Sequence, residues 1–193
     1  MRRAGRLGIL TVAVVLSACT PQRRQPMYVA ADLSNRAITA LSLAPVVDER
    51  GFPETQIPIA SYVREAVGRV LTQKGYDVTV TPDPDLVRLS EPLLDSNGDV
   101  LVAQFAAGAP YVLWIAVDRV DPESSSIGLD TRVRLAGTLV DTATQEVVWR
   151  DRAERESSIS GAGVATVSPS ARTYEAVYRT VTTLLDSLQD RGS

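Results

Sequence analysis

Tyr111-Val112-Leu113-Trp114-Ile115-Ala116-Val117 is an unbroken apolar run dominated by aliphatic and aromatic residues. A strand half-exposed to water would alternate, so this run reads as a central strand covered on both faces. Towards the C-terminus the pattern changes. Ile127 to Val140 alternates, with Leu129, Val133, Leu135 and Leu139 facing one way and Asp130, Arg132 and Arg134 the other. That is a strand with one wet face. Asp121 to Ser126 reads as the turn between the two. A hairpin turn is expected at about Asp141 to Gln145, and Glu146 to about Glu156 returns as a third strand. Pairing Gly137 with Trp149 and Leu139 with Val147 would set an aromatic over a glycine and Arg132 opposite Glu154. The same register turns Asp151 toward the side of Leu135.

Towards the N-terminus, Ile59, Tyr62, Val63, Ala66, Val67, Val70 and Leu71 follow the i, i+3, i+4, i+7 series of an amphipathic helix. Pro58 suits its start and Gly75 its C-terminal cap. Ile38 to Val47 and Tyr76 to Thr81 read as strands on either side of it. Prolines 82, 84 and 92 break up the next stretch, where short helices are expected in Asp85 to Leu94 and Asp99 to Ala107. Ser157 to Ser168, rich in Ser, Gly and Ala, reads as a loop. Ser168-Pro169 then starts a second amphipathic helix carrying Tyr174, Val177, Tyr178, Val181, Leu184, Leu185 and Leu188. The expected fold class is α/β (α+β), a single mixed sheet of about five strands with helices packed on it. The order is β-α-β-(α)-α-β-β-β-α.

The ends and the composition speak to location. Arg2, Arg3 and Arg6 precede a short apolar run, Leu7 to Val15, and then Leu16-Ser17-Ala18-Cys19 with the only cysteine of the 193 residues. A basic start and an apolar run too short to span a bilayer mark an export signal over residues 1–18. Without it, the chain carries 17 basic against 23 acidic side chains, a net charge of −6. Electrostatics alone would not hold such a body on an anionic lipid surface. Residues 19–36 contain two prolines and little periodicity and read as a tether, which leaves 37–193 as the globular domain. The chain has no histidine, which excludes Ser-His-Asp and Cys-His catalysis and histidine metal sites. No basic footprint for nucleic acid is present.

The tetrad ending at Cys19 resembles the bacterial lipobox, in which the cysteine is acylated and becomes the mature N-terminus. That resemblance implies a membrane partner reached through lipid. Thr20, rather than aspartate, then favours the outer membrane, with the body in the periplasm. Ala106-Ala107-Gly108-Ala109-Pro110-Tyr111-Val112-Leu113, the segment Gly137 to Trp149, and Lys74-Gly75-Tyr76 resemble bacterial lipoproteins with a CsgG-like, TolB N-terminal-like α/β domain. The resemblance covers about residues 38–190. It implies a non-enzymatic accessory factor for envelope assembly, secretion or export, with an envelope protein partner and homo-oligomers as one form of assembly. Relatives usually carry glycine where Gln145 stands, so that turn is of another type or strained. Family members that build an outer-membrane barrel use long extra strands, and the Asp121 to Ser126 turn is too short for that.

Other candidate chemistry is thin. Asp95-Ser96-Asn97-Gly98-Asp99 places oxygens at odd spacing, but its glycine and the residue at position twelve, Ala106, miss the calcium-loop pattern. Asp48, Glu49 and Arg50 follow the first strand, where α/β folds place ligands, and the acid pair could serve general acid/base work in a periplasmic binding or enzymatic module. Gly161-Ala162-Gly163 lacks the spacing of a phosphate loop. The uncharged stretch Ser157 to Ser168 could order against a partner. Arg132, Arg134, Arg150 and Arg152, interleaved with Asp130, Asp151 and Glu154, form a solvated sheet face or a subunit contact. No catalytic residue, cofactor or metal ligand is assigned; the one site residue is Cys19, for lipidation.

Overall fold

The computed structural model describes residues 25–50, 58–81, 108–124, 128–160 and 168–188. The signal segment, Cys19, the Asp95–Asp99 turn, the two helices expected before Gly108 and the Gly161–Gly163 stretch lie outside the described residues. Within them, seven strands and two α-helices follow one another. They are β1 (Tyr28–Val29), β2 (Ala40–Leu43), β3 (Val47–Asp48), α1 (Ile59–Gln73), β4 (Asp77–Val80), β5 (Tyr111–Ser124), β6 (Gly128–Asp141), β7 (Val147–Ser160) and α2 (Pro169–Leu185). The strands form one mixed sheet in the order β1-β7-β6-β5-β2-β4, with β3 also on β5. β2 and β3 run parallel to β5, while β5, β6 and β7 form an antiparallel meander.

The expected single strand over Ile38 to Val47 is split. β2 and β3 pair with β5 in succession, at Leu43 with Leu113 and at Val47 with Ala116, on either side of Pro45. Proline has no N–H to give the ladder, so the strand breaks there and resumes. α1 starts at Ile59 after Pro58 and ends in a Schellman cap. Gly75 sits at φ 84°, its N–H bonds Thr72 O, and the Tyr76 N–H bonds Leu71 O. Ser168 caps α2 by accepting the Ala171 N–H at 3.2 Å. Lys74 Nζ donates to Leu188 O at 3.0 Å and ties the ends of the two helices together.

Both helices lie on one face of the sheet. Leu113, Ile115, Val117, Val133, Leu135, Leu139, Trp149 and Ala153 on that face are buried with Val63, Val67 and Val70 of α1 and Val177, Val181 and Leu184 of α2. Burial of each such side chain is worth about 1.5–3 kcal/mol, so this layer is the main source of stability. A bulge at Asp118 keeps the pattern in phase. Val117 pairs Leu135 but Arg119 pairs Arg134, and the extra residue returns Val120 to the core side opposite Val133.

Three sequence expectations need correction. First, the β6–β7 register is shifted by two residues. Gly137 pairs Asp151, Leu139 pairs Trp149, Arg134 pairs Glu154 and Arg132 pairs Glu156. The hairpin sets this offset: Gln145 takes φ 60°, its N–H bonds Asp141 O, and a bulge falls between Leu139 and Val140. A shift of two preserves the faces, so the aromatic still covers the glycine, now diagonally. A Cβ on Gly137 would meet the Trp149 ring at 3.0 and 3.1 Å. Second, β5 and β7 run further than expected. Asp121 to Ser124 continues β5 and Ser157 to Ser160 continues β7, because pairing with β6 persists to their ends. Pro122 fits there, since beyond Val117 β5 has β6 on only one side among the described residues.

Third, within the stretch 19–36 expected as a tether, the described residues 28–36 are attached to the body. β1 pairs antiparallel with β7 at Tyr28–Arg150 and Val29–Trp149, and the Ala30 N–H bonds Val148 O at 2.9 Å. A 3-10 turn over Leu33–Asn35 then buries Leu33 in the core. Arg36 closes the attachment with a 2.7 Å ion pair to Asp141 in the hairpin turn. The low periodicity of this stretch hid a segment held by two backbone pairs, one apolar side chain and one ion pair.

Two substitutions check these contacts. Gly137→Ala should destabilise by about 1–3 kcal/mol in urea unfolding, although alanine ordinarily suits a strand better than glycine, because the Trp149 ring has no room to retreat. Gln145→Gly should stabilise by roughly 0.5–1 kcal/mol, as relief of the left-handed conformation outweighs the added freedom of the unfolded chain.

Candidate functional site

Of the acid pair Asp48 and Glu49 at the end of β3, Asp48 comes out of the fold already paired. Arg50 reaches back to Asp48 with Nε at 2.7 Å and Nη2 at 2.5 Å, and its backbone N–H adds a third bond to Oδ1. Partial burial would raise the Asp48 carboxyl, but the hydrogen bonds and charge of Arg50 outweigh it and hold the group below its ordinary value. A general acid needs a proton near working pH, and a poised base needs a raised value. Asp48 has neither, and Glu49 is simply exposed. Among the described residues no three His, Cys, Asp or Glu side chains gather as a metal site.

What the sheet offers instead is surface. On the face away from the helices, Arg134 pairs Glu154 at 2.6 Å, Arg132 pairs Glu156 at 2.8 Å and Arg152 pairs Asp118 at 3.0 Å. Arg119 pairs Asp121 beside them. The hydrogen bond from Arg134 holds Glu154 below its ordinary value against slight desolvation, and the charges of Arg134, Arg132 and Arg119 act the same way. This is a ladder of crossed ion pairs, each worth little as an exposed contact. Asp151, which sequence reasoning grouped with these charges, is not among them. It is buried on the helix side, where Oδ1 accepts the Arg152 N–H at 2.8 Å.

A second surface lies across the helices. Tyr62 and Tyr174 meet edge to face with centroids 5.6 Å apart, and Tyr174 stacks on Tyr178 at 6.5 Å. Arg69 stands over Tyr174 at 5.9 Å. Burial, then the hydrogen bond and charge of Glu65, push the Tyr174 phenol up. The helical periodicity had placed these tyrosines on the stripe, and their shared seam follows from the two helices packing together.

The third surface is the attached N-terminal edge. An open groove of about 810 Å³ runs between β1, Asp32, Arg36 and the end of the hairpin at Glu146 to Arg150. Beside it, Met27, Tyr28 and Val29 are 65%, 48% and 42% exposed. Sequence reasoning missed this edge because Tyr28–Val29 is only two residues long, below the length at which alternation can be read.

No protein-family model matches the chain, and neither does any curated protein. Solved structures do share its fold. The hypothetical protein CT253 from Chlamydia trachomatis is similar with a TM-score of 0.51 at 12% identity, over 78% of this chain and 95% of that one. A PelC dodecamer from Paraburkholderia phytofirmans gives 0.48 at 16% identity, over 76% and 86%. Lipoprotein GNA1162 from Neisseria meningitidis gives 0.45 at 19% identity, over 77% and 99%. At 12% identity the likeness to CT253 is one of fold alone.

The Asp48–Arg50 pair has a measurable signature. In an NMR titration the Asp48 carboxyl should remain ionised below its ordinary range, and Arg50→Gln should move it upward. The lowered folded value means that the pair stabilises at neutral pH and loses that contribution as the pH falls through the acid range.

Proposed function

We propose that this chain is a bacterial envelope lipoprotein, moored by acyl groups on Cys19, that works by protein contact and catalyses nothing itself. Its role is that of an accessory factor in envelope assembly, secretion or export. The outer membrane is its location, with the body in the periplasm. The observation that carries this reading is the sole cysteine at the end of Leu16-Ser17-Ala18-Cys19, behind a basic start and a short apolar run. Three further observations support it. The chain has no histidine, the Asp48 carboxylate is paired with Arg50, and no helix among the described residues is long and apolar enough to cross a membrane. One acyl chain binds only marginally, so stable mooring calls for more than one on the cysteine.

The body fits the same reading. Its CsgG-like, TolB N-terminal-like character rests on the segments around Gly75, Gly108 and Trp149. The ion-pair ladder and the tyrosine seam are broad surfaces suited to an envelope protein or to further copies of the chain. Polar rims, aromatics and arginine are what protein interfaces use.

Mass spectrometry of the protein from bacterial membranes should find residues 1–18 removed and acyl chains on Cys19. Cys19→Ser should move nearly all of the protein to the aqueous fraction. An unmodified Cys19 on soluble material would contradict the reading. Light scattering on the detergent-extracted protein should show multimers or a co-purifying envelope protein; a lone monomer that captures none counts against action by contact.

A further inference from the structure

The attached N-terminal edge puts greasy side chains where the anchor ends. Among the described residues the exposed large hydrophobics are Met27, Tyr28, Val29 and Val80. Three of these four are consecutive, and Met27 stands eight residues after Cys19. Eight residues span at most about 29 Å when extended, and a relaxed coil of that length averages roughly 15 Å. Acylation at Cys19 would therefore hold this edge within touching distance of the bilayer.

We propose that the sheet edge carrying Met27, Tyr28 and Val29, with Tyr28 on the charged face and Val29 on the helix face, rests in the headgroup layer of the membrane and fixes the orientation of the body on it. The proposal rests on the lipidation reading above and adds a second, non-covalent attachment. Its chemistry suits an interface: a tyrosine carries an apolar ring with a polar tip, and such residues concentrate at headgroup depth. Arg23 and Arg24 precede the patch, and the exposed Arg150 lies opposite Tyr28 on β7. The exposed Arg150 would attract lipid phosphates to this edge, whereas the body as a whole is acidic. The nearest acid on the same segment, Asp32, is paired with Arg36 at 2.9 Å.

A second copy of the chain is the rival occupant, since β1 is an edge strand. β1 offers it little: it is two residues long, and Pro26 just before it has no N–H to extend a ladder. Tight strand addition therefore does not explain why the three side chains are left exposed, and a lipid surface does.

The test uses the full mature lipidated protein in vesicles of phosphatidylethanolamine and phosphatidylglycerol. Met27→Cys supplies a thiol for a nitroxide, and Ser61→Cys on α1 supplies a control on a helix that packs against β3 and β4, away from β1. Flotation is scored first. The nitroxide at position 27 should collide several-fold more with oxygen relative to an aqueous nickel chelate than the control does. Equal ratios at both positions on protein that floats would overturn the patch and leave lipidation standing. Protein that does not float would overturn both. Strong dipolar broadening between labels at position 27, with aqueous accessibility, would give the edge to a second copy and also overturn the patch.

Discussion

A strand presents successive side chains to opposite faces, and here both helices cover the same face of the sheet. That constraint runs through this molecule. Where β5, β6 and β7 lie under the helices, each must keep the same parity. Leu113, Ile115, Leu135, Leu139 and Trp149 meet it directly, and the two irregular points restore it where the chain would drift. The bulge at Asp118 returns Val120 to the core. The left-handed Gln145 and the slip after Leu139 close the hairpin with Trp149 on the buried side. Trp149 then fills the space that Gly137 leaves and donates its indole N–H to Ser187 Oγ at 2.9 Å, which fastens the end of α2 to the sheet. Parity of the meander thus sets where the helices sit, which face carries the charges and which edge remains for the N-terminus.

The energies separate stability from function. Apolar burial on the helix side is worth about 1.5–3 kcal/mol for each large side chain, whereas an exposed ion pair contributes roughly 0–1. The ladder of Arg132, Arg134, Arg152 and their acids therefore does little to hold the fold. In the contact role proposed above it would give specificity, since a partner would have to match alternating charge. The same reasoning applies to the pair of Asp48 and Arg50.

Long periodic elements were legible in the sequence. Both amphipathic helices, the apolar β5 and the alternating β6 could be placed because many residues repeat one rule. The hairpin register was not, because one residue at φ 60° decides it and glutamine gives no sign of that conformation. The split at Pro45 was half visible: a proline can break a strand, while the resumed pairing of Val47 needed the neighbouring strand. Least legible was the N-terminal edge. Tyr28, Val29 and Leu33 are too few to show a period, and their order comes from partners more than a hundred residues away, at Val148, Arg150 and Asp141. The candidate surfaces followed the same division. The charged ladder was readable from alternation, Asp151 was misplaced with it, and the exposed patch at Met27 had no signal beyond its nearness to Cys19.

The reading of the N-terminal edge rests on the attachment of Tyr28 to Arg36 to the sheet. Amide hydrogen exchange of Ala30 in the mature protein tests it most directly. Its N–H bonds Val148 O at 2.9 Å, so protection comparable to that of the interior strands is expected. Exchange at the rate of an unstructured peptide would show a free tether up to Arg36 and contradict the account.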